Sequence, residues 1–535
     1  MSKSMIVAPQ PDAVEAGARV LREGGNAIDA AIACAFVQGV IDPLMCGIAG
    51  FGSFQILCRA RGTHEVIDFH GKVPLKATPD MWADLVEGET RDGFGFAVRG
   101  NVNDVGYQST TTPGALKALN EAHQRYGTRS WPELIEPAIA FAEEGFLLAP
   151  HVYHFWVAPD LPGRVTIVDR LRHTPAARRL FFDASGELRK IGSRITRPEL
   201  GRTLRRIAAE GPAVFYEGEI AHRIDRDMAE HGGLLSLDDL RSYRTTRTEP
   251  LWGEYRGHRV SSCQPPGGGV VLLQMLHILD RFDLASLGHN TPEYIAVIAE
   301  AMKIATADKE RYVGDPAFVE VPVARLLSKA YADEKAAEIR AGKKAAVERF
   351  RPPESPHTSH ISVFDGSGNA VSLTHSLGMM SGVITDDLGF MYNGCMGVFD
   401  PRPGRTGSIA PGKSRFSSIC PSIVFRGQEP YLILGAPGGT QIAMGVLQVI
   451  LNVIDFGMPI TEAVIAPRFS ATSDAVDVSA RTPQYLCDEV EKRGYRVIRS
   501  PISYYFAGVH AILAEDGLLS GAADPAWGAG MALEV

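Results

Sequence analysis

Thr358 is the first residue whose setting could do chemistry. It lies in "ESPHTSHISVFDGSGNAVSLTHSLG", residues 354–378, after a Pro-punctuated run and directly before an alternating stretch. A chain cut before Thr358 would carry a hydroxyl and a free α-amino group on one residue, so the amine could serve as the hydroxyl's own general base. Such a nucleophile needs no His or Asp partner. A second candidate is "GAPGGTQ", 435–441, where a strand pattern enters glycines and then a helix pattern; the N–H groups of Gly438 and Gly439 suit an oxyanion. The segment lacks the Lys and the spacing of a phosphate-binding loop. His357, His360 and His375 match no common metal-ligand spacing, so neither a metal nor a cofactor is expected. Alternation puts His360 and Ser362 on one strand face, the setting of a structural histidine.

Elements that would position these groups can be read from periodicity. "PDAVEAGARVLREGGNAIDAAIACAFVQGVI" has helical spacing broken at Gly24, Gly25 and Asn26, which predicts two helices with a sharp joint. "HEVIDFHGKVP" reads as a strand with its turn, and helices dominate from about Trp131 to Lys344. The charged, Pro-containing "RAGKKAAVERFRPPESPH" reads as an exposed linker. Beyond it the period becomes two: "HISVFD", "AVSLTHS", "PSIVFRG" and "PYLILGAP" are predicted strands, "TQIAMGVLQVILNVIDFG" a helix and "VHAILAE" a further strand. The expectation is an α+β fold whose antiparallel sheet comes largely from the last third.

Composition narrows the function classes. The chain has 535 residues, 54 Lys+Arg against 62 Asp+Glu, and a formal charge of −8. That field repels phosphate backbones, so nucleic acid is not an expected partner. No window approaches the ~20 apolar residues of a membrane span, and "MSKSMIVAPQPDAVEAG" does not read as a signal peptide. Seven cysteines without a CxxC pair fit neither a disulfide framework nor a zinc site, which leads us to expect a soluble, cytoplasmic protein.

"TSHISVFDGSGNAVSLT" resembles the γ-glutamyltranspeptidase family of N-terminal nucleophile hydrolases, which cut themselves before a Thr in this pattern. "GGNAIDAAIA", "GIAGFGSF", "TPGAL", "PPGGGVVLLQMLHILDRFD", "AEAMKIATADKERYVGDP", "FSSICPSIV" and "GAPGGTQI" are similar to family blocks in the family order. The resemblance implies a four-layer αββα sandwich and autocleavage between His357 and Thr358. Segments 1–357 and 358–535 would become the large and small chains of one intertwined fold, with a homodimer of such heterodimers as a further option. It implies Thr358 as nucleophile, Ser376 where the family has a Thr touching it, and Gly438–Gly439 as oxyanion hole; Thr374 is a second hydroxyl on the same strand face. Ser417 and Ser418 match a pair contacting a substrate carboxylate.

The departures concern the glutamyl head group. Transpeptidases place an Arg after "IDF", where this chain has His70, and hold the α-amino group with an Asn and an "NNQMDDF"-like segment. Here Gly378 and "YNGCMGVFD" supply Gly378, Cys395, Gly397 and Val398 instead, with Asp400 two residues on. "FDPRPG" and "SIAPGKS" resemble a branch with acylase-type members. A buried charge left without its partner costs ~2–5 kcal/mol, so γ-glutamyl compounds should not be preferred. The leading expectation is an autoprocessed Thr hydrolase of a small amide, of the oxamate amidohydrolase or cephalosporin acylase kind, using His70, Ser417 and Ser418 for one carboxylate. Alternatives are a γ-glutamyl hydrolase or transferase that uses Asp400 for the amino group, and an uncleaved, non-catalytic binding homologue.

Overall fold

The computed structural model describes residues 3–89, 95–158, 164–347, 357–500 and 506–535; the linker stretch 348–356 lies outside the described residues. Two antiparallel sheets stack face to face. The first runs, in order, Met531–Glu534, Met5–Ala8, Ser359–Phe364, Ala370–Ser376, Phe51–Cys58, Thr63–Asp68 and Thr246–Thr248. The second runs Leu518–Ala523, His510–Glu515, Glu429–Gly435, Ser422–Arg426, His258–Ser262 and Leu251–Tyr255.

Helices cover both outer faces. Pro11–Arg22, Ala27–Ile41, Ala115–Tyr126, Trp131–Glu144 and Pro198–Glu210 pack into one core with the first sheet. Gly269–Leu279, Pro292–Tyr312 and Ile442–Ile454 form another with the second. Between the sheets lies a thinner apolar seam that includes Val7, Ala370, Ile423, Ile433 and Ile512. This is the αββα sandwich. No helix among the described residues is long and apolar enough to cross a membrane.

The predicted joint at 24–26 forms for local reasons. Gly24 has φ +89°, and Asn26 caps the next helix: its side chain accepts from the Ile28 and Asp29 amides while Asp29 accepts from Asn26 N–H. The helix Ala27–Ile41 is buried almost all round because it is sandwiched between its neighbouring helices and the sheet. Asp365 of the "DGSGN" turn accepts from Ala27 N–H at 2.9 Å, tying that turn to the helix start.

Strand origin differs from the expectation. The two sheets draw on both halves of the chain, and Leu251–Tyr255 with His258–Ser262 forms a hairpin inside the region read as helical. Its two-residue turn is Arg256 and Gly257, φ +48° and +76°, the twist a tight antiparallel hairpin needs. "LWGEYRGHRV" alternates, but a single short hairpin among long helical patterns carries little weight in a sequence reading.

Candidate active site

Thr358 immediately precedes the strand Ser359–Phe364, which pairs with Ala370–Ser376 in the register Ser359 to His375 and His360 to Thr374. Alternation therefore turns His360 and Ser362, and Ser372, Thr374 and Ser376, toward the facing sheet. Ser362 Oγ donates to His510 O at 3.2 Å and Ser372 Oγ to Leu434 O at 2.9 Å. Gly435 has no room for a Cβ because the His360 ring occupies that space. The strand leading to Gly438–Gly439 is thus seated directly over the strand that Thr358 opens.

At the start of that strand, Thr358 Oγ1 donates to the His357 carbonyl oxygen at 2.7 Å and lies 3.1 Å from Ser376 Oγ. Ser376 Oγ also donates to His357 O and accepts the Gly378 N–H at 2.8 Å. The peptide bond before Thr358 is therefore polarised by two hydroxyls. Thr374, grouped with them from its position, is engaged elsewhere: its hydroxyl meets His360 Nδ1 at 2.8 Å, and His360 Nε2 meets Ser362 Oγ at 3.0 Å. One strand step changes which residue of the partner strand faces the side chain, and Thr374 stands opposite His360 rather than Thr358. Burial lowers the His357 imidazole to about 3, helped by Arg170 and Arg164, so this ring is neutral at ordinary pH.

Gly438 and Gly439 follow the strand Glu429–Gly435 with φ +143° and +57°. A Cβ on Gly438 would lie 2.6 Å from Ala507 Cα, so the turn depends on glycine. Thr440, Ser417, Ser418, Arg415 and Val398 help line a cavity of about 720 Å³.

His70 reaches this cavity through Ser417. Its Nε2 lies 2.6 Å from Ser417 Oγ and its Nδ1 2.6 Å from Asp68 Oδ2. Asp68 fixes Nδ1–H as a donor, which leaves Nε2 to accept from the Ser417 hydroxyl. Asp68 escaped the sequence reading although it lies two residues from His70 in "IDFH". Ser417 N–H donates to Pro266 O at 3.0 Å and Gly268 N–H to Ile419 O at 2.7 Å, so the "PPGGG" loop holds the serine pair. A Cβ on Gly268 would lie 2.6 Å from Ser418 O and 2.9 Å from Ser418 Cα. Gly268→Ala must displace that backbone, and displacements near 1 Å cost on the order of 10² in rate. We expect a folded protein with kcat/KM lowered by about that factor, checked by steady-state kinetics beside circular dichroism.

The positions read as lost glutamyl contacts do converge. Gly378 has φ +66°, and a Cβ there would lie 2.8 Å from Cys395 Sγ and 2.9 Å from an Arg415 guanidinium nitrogen. Arg415 donates to Cys395 Sγ at 3.2 Å and sits 4.6 Å from the Phe51 ring. Burial raises the Cys395 thiol above its ordinary range despite the neighbouring guanidinium, which keeps it protonated and unreactive. Arg415 was missed in the sequence; a basic residue two before a serine pair was the available signal. Asp400 is bound by Arg402, Nε to Oδ1 at 2.8 Å, and approached by Arg405 at 3.6 Å.

Two stacked antiparallel sheets between helical layers, with a hydroxyl opening a central strand, define an N-terminal nucleophile hydrolase. The chain belongs to the gamma-glutamyltranspeptidase family, whose pattern it matches over residues 13–533. It is 39% identical over 531 residues to the acylase ACY 1 proenzyme of Pseudomonas sp. (strain V22), covering 98% of this chain and 92% of that one. It is 33% identical over 489 residues to the glutathione hydrolase proenzyme of Escherichia coli (strain K12), covering 87% and 80%. The cephalosporin acylase from Bacillus halodurans superposes with a TM-score of 0.88 at 29% identity, covering 99% of this chain and 96% of that one.

Proposed function

We propose that this protein is an autoprocessing hydrolase of small amides with Thr358 as nucleophile. The observation that carries the reading is the Thr358 hydroxyl lying 2.7 Å from the carbonyl oxygen of its own preceding peptide bond, with Ser376 beside it. In the precursor, Thr358 Oγ attacks the His357 carbonyl carbon, the C–N bond breaks, and an ester forms. Water hydrolyses that ester, leaving a carboxylate on His357 and a free amine on Thr358.

In the mature protein the amine takes the hydroxyl proton as Oγ attacks a substrate carbonyl. The amides of Gly438 and Gly439 hold the oxyanion. The proton passes to the leaving nitrogen, the amide C–N bond breaks, and water releases the acyl group as its acid while regenerating Thr358. The Ser417–Ser418 pair, backed by His70 and Asp68, grips a carboxylate of the acyl portion. Because Asp400 is already neutralised by Arg402, the reading favours an acylase-type substrate over a zwitterionic γ-glutamyl one.

Purified protein should separate under denaturing conditions into chains of roughly 39 and 19 kDa, the shares of 57.8 kDa that fall to the two segments. N-terminal sequencing of the smaller chain should read Thr-Ser-His-Ile-Ser. A single intact band from active protein would overturn the proposal.

A further inference from the structure

Asp68, His70 and Ser417 come from distant parts of the chain, yet the fold links them in series. Asp68 ends the strand Thr63–Asp68 and holds His70 twice: Oδ1 accepts the His70 backbone N–H at 3.1 Å, and Oδ2 meets ring Nδ1 at 2.6 Å. The Tyr243 hydroxyl donates to His70 O at 3.0 Å, so the residue is fixed from both ends. His70 is 1% exposed, and its Nε2 lies 2.6 Å from Ser417 Oγ. A hydroxyl, an imidazole and a carboxylate joined at such distances have the geometry of a nucleophile, its base and the group that orients the base. Such a triad is recognised by geometry and roles, not by order along the chain.

Ser417 is placed to use that activation. Its Oγ gives its single hydrogen to His70 and accepts the Ile419 N–H at 3.3 Å, which leaves a second lone pair for an electrophile. The residue lines the cavity, and Pro266 O holds its backbone N–H at 3.0 Å. Ser418 is the more exposed of the two serines, 9% against 4%, but the imidazole contact belongs to Ser417.

We propose that Asp68, His70 and Ser417 form a second nucleophilic centre, independent of Thr358, that hydrolyses uncharged carboxylic esters. Ser417 Oγ bonds to the ester carbonyl carbon while its proton passes to His70 Nε2. The C–O bond then breaks as His70 returns that proton to the leaving oxygen, and an acyl-serine remains. Water attacks the acyl-serine, gives a proton to the same imidazole and releases the acyl group as its acid, after which the proton returns to Ser417 Oγ. The three residues are in contact while the His357–Thr358 peptide bond is intact, so this centre does not depend on cleavage.

The full-length Thr358→Ala chain lacks the other nucleophile and provides the test. Treated with diisopropyl fluorophosphate, it should lose fluoride and carry the phosphoryl group on Ser417, not on Ser418, as read by peptide mass spectrometry. The same chain should hydrolyse p-nitrophenyl acetate. Adding His70→Gln should slow both labelling and ester hydrolysis by on the order of 10² or more, the share that a positioned general base supplies. Asp68→Asn should slow both as well, with the fold of each variant matched by circular dichroism. No label on Ser417, equal labelling of Ser418, or rates unchanged by His70→Gln would overturn the proposal. The position of the label needs no substitution beyond Thr358→Ala, so it decides the matter even where a His70 or Asp68 variant does not fold. Because Thr358 is absent throughout, the outcome is separate from the success or failure of the amide-hydrolase reading.

Discussion

Thr358→Ala yields one uncleaved chain of 57.8 kDa, and hydrolysis of any amide substrate falls by on the order of 10⁴–10⁶, the scale at which removing a covalent nucleophile acts. Both losses share one cause. The hydroxyl that lies 2.7 Å from the His357 carbonyl oxygen is the only atom of Thr358 that can attack that carbonyl carbon, and without cleavage no α-amine exists to act as base. Ser376→Ala should behave differently. It removes the second hydroxyl on the same carbonyl and the acceptor for Gly378 N–H, so cleavage should slow without being abolished. A gel time course of freshly expressed protein reads cleavage in both variants, and a p-nitroanilide assay at the end of that time course reads hydrolysis. Complete maturation of Thr358→Ala would refute its assignment as nucleophile.

Acid should destabilise the fold steeply, because four histidines are buried in the neutral form. Burial lowers His357, His375 and His510 from 6.5 to about 3, and His360 well below 6.5 with the neighbouring His510 and His375 opposing its charge. In the unfolded chain all four bind protons near pH 6.5; in the folded chain they do not until far lower. The unfolded state thus binds more protons across this window, so stability is lost as pH falls through 6.5.

At pH 5.5 each histidine withdraws on the order of 1 kcal/mol, a sizeable part in total of the ~5–15 kcal/mol that typically holds a domain together. Asp42 acts oppositely. Burial raises it to about 7 against the hydrogen bond from Gln10, so the folded state holds its proton between roughly pH 4 and 7 and stability from this group declines as pH rises. Among these five groups the net is about three protons between pH 6.5 and 4, and His64, lowered to about 4 by burial and then by Arg259, adds in the same direction. Urea unfolding of the uncleaved Thr358→Ala chain at pH 7.5, 6.5 and 5.5 measures it; a flat profile would contradict neutral burial of the histidines.

Much of the site was legible because its signals are local. The helix joint at Gly24–Asn26, the strands flanking "DGSGN", and the glycine turn before Ile442–Ile454 each follow from neighbouring residues, where capping, alternation and positive φ act. The hairpin Leu251–Ser262 was hidden because its strands are five residues each and their partner, Ser422–Arg426, lies far along the chain. Thr374 shows the same limit: alternation placed it on the correct face, but only register against His360 decided what its hydroxyl touches.

The amino-acid sequence alone determined that a hydroxyl residue opens a strand after a Pro-rich run, that two glycines turn a strand into a helix, and that the usual glutamyl contacts are missing. Tertiary structure alone decided what replaces them. His70 and Ser417 are 347 residues apart yet share a hydrogen bond, and Gly378, Cys395, Arg415 and Phe51 meet although none adjoins another in the chain. Local propensity fixes elements within a few residues. The charge of a binding site is set by which side chains the packed layers bring to one wall, and that becomes visible only once the sheets are stacked.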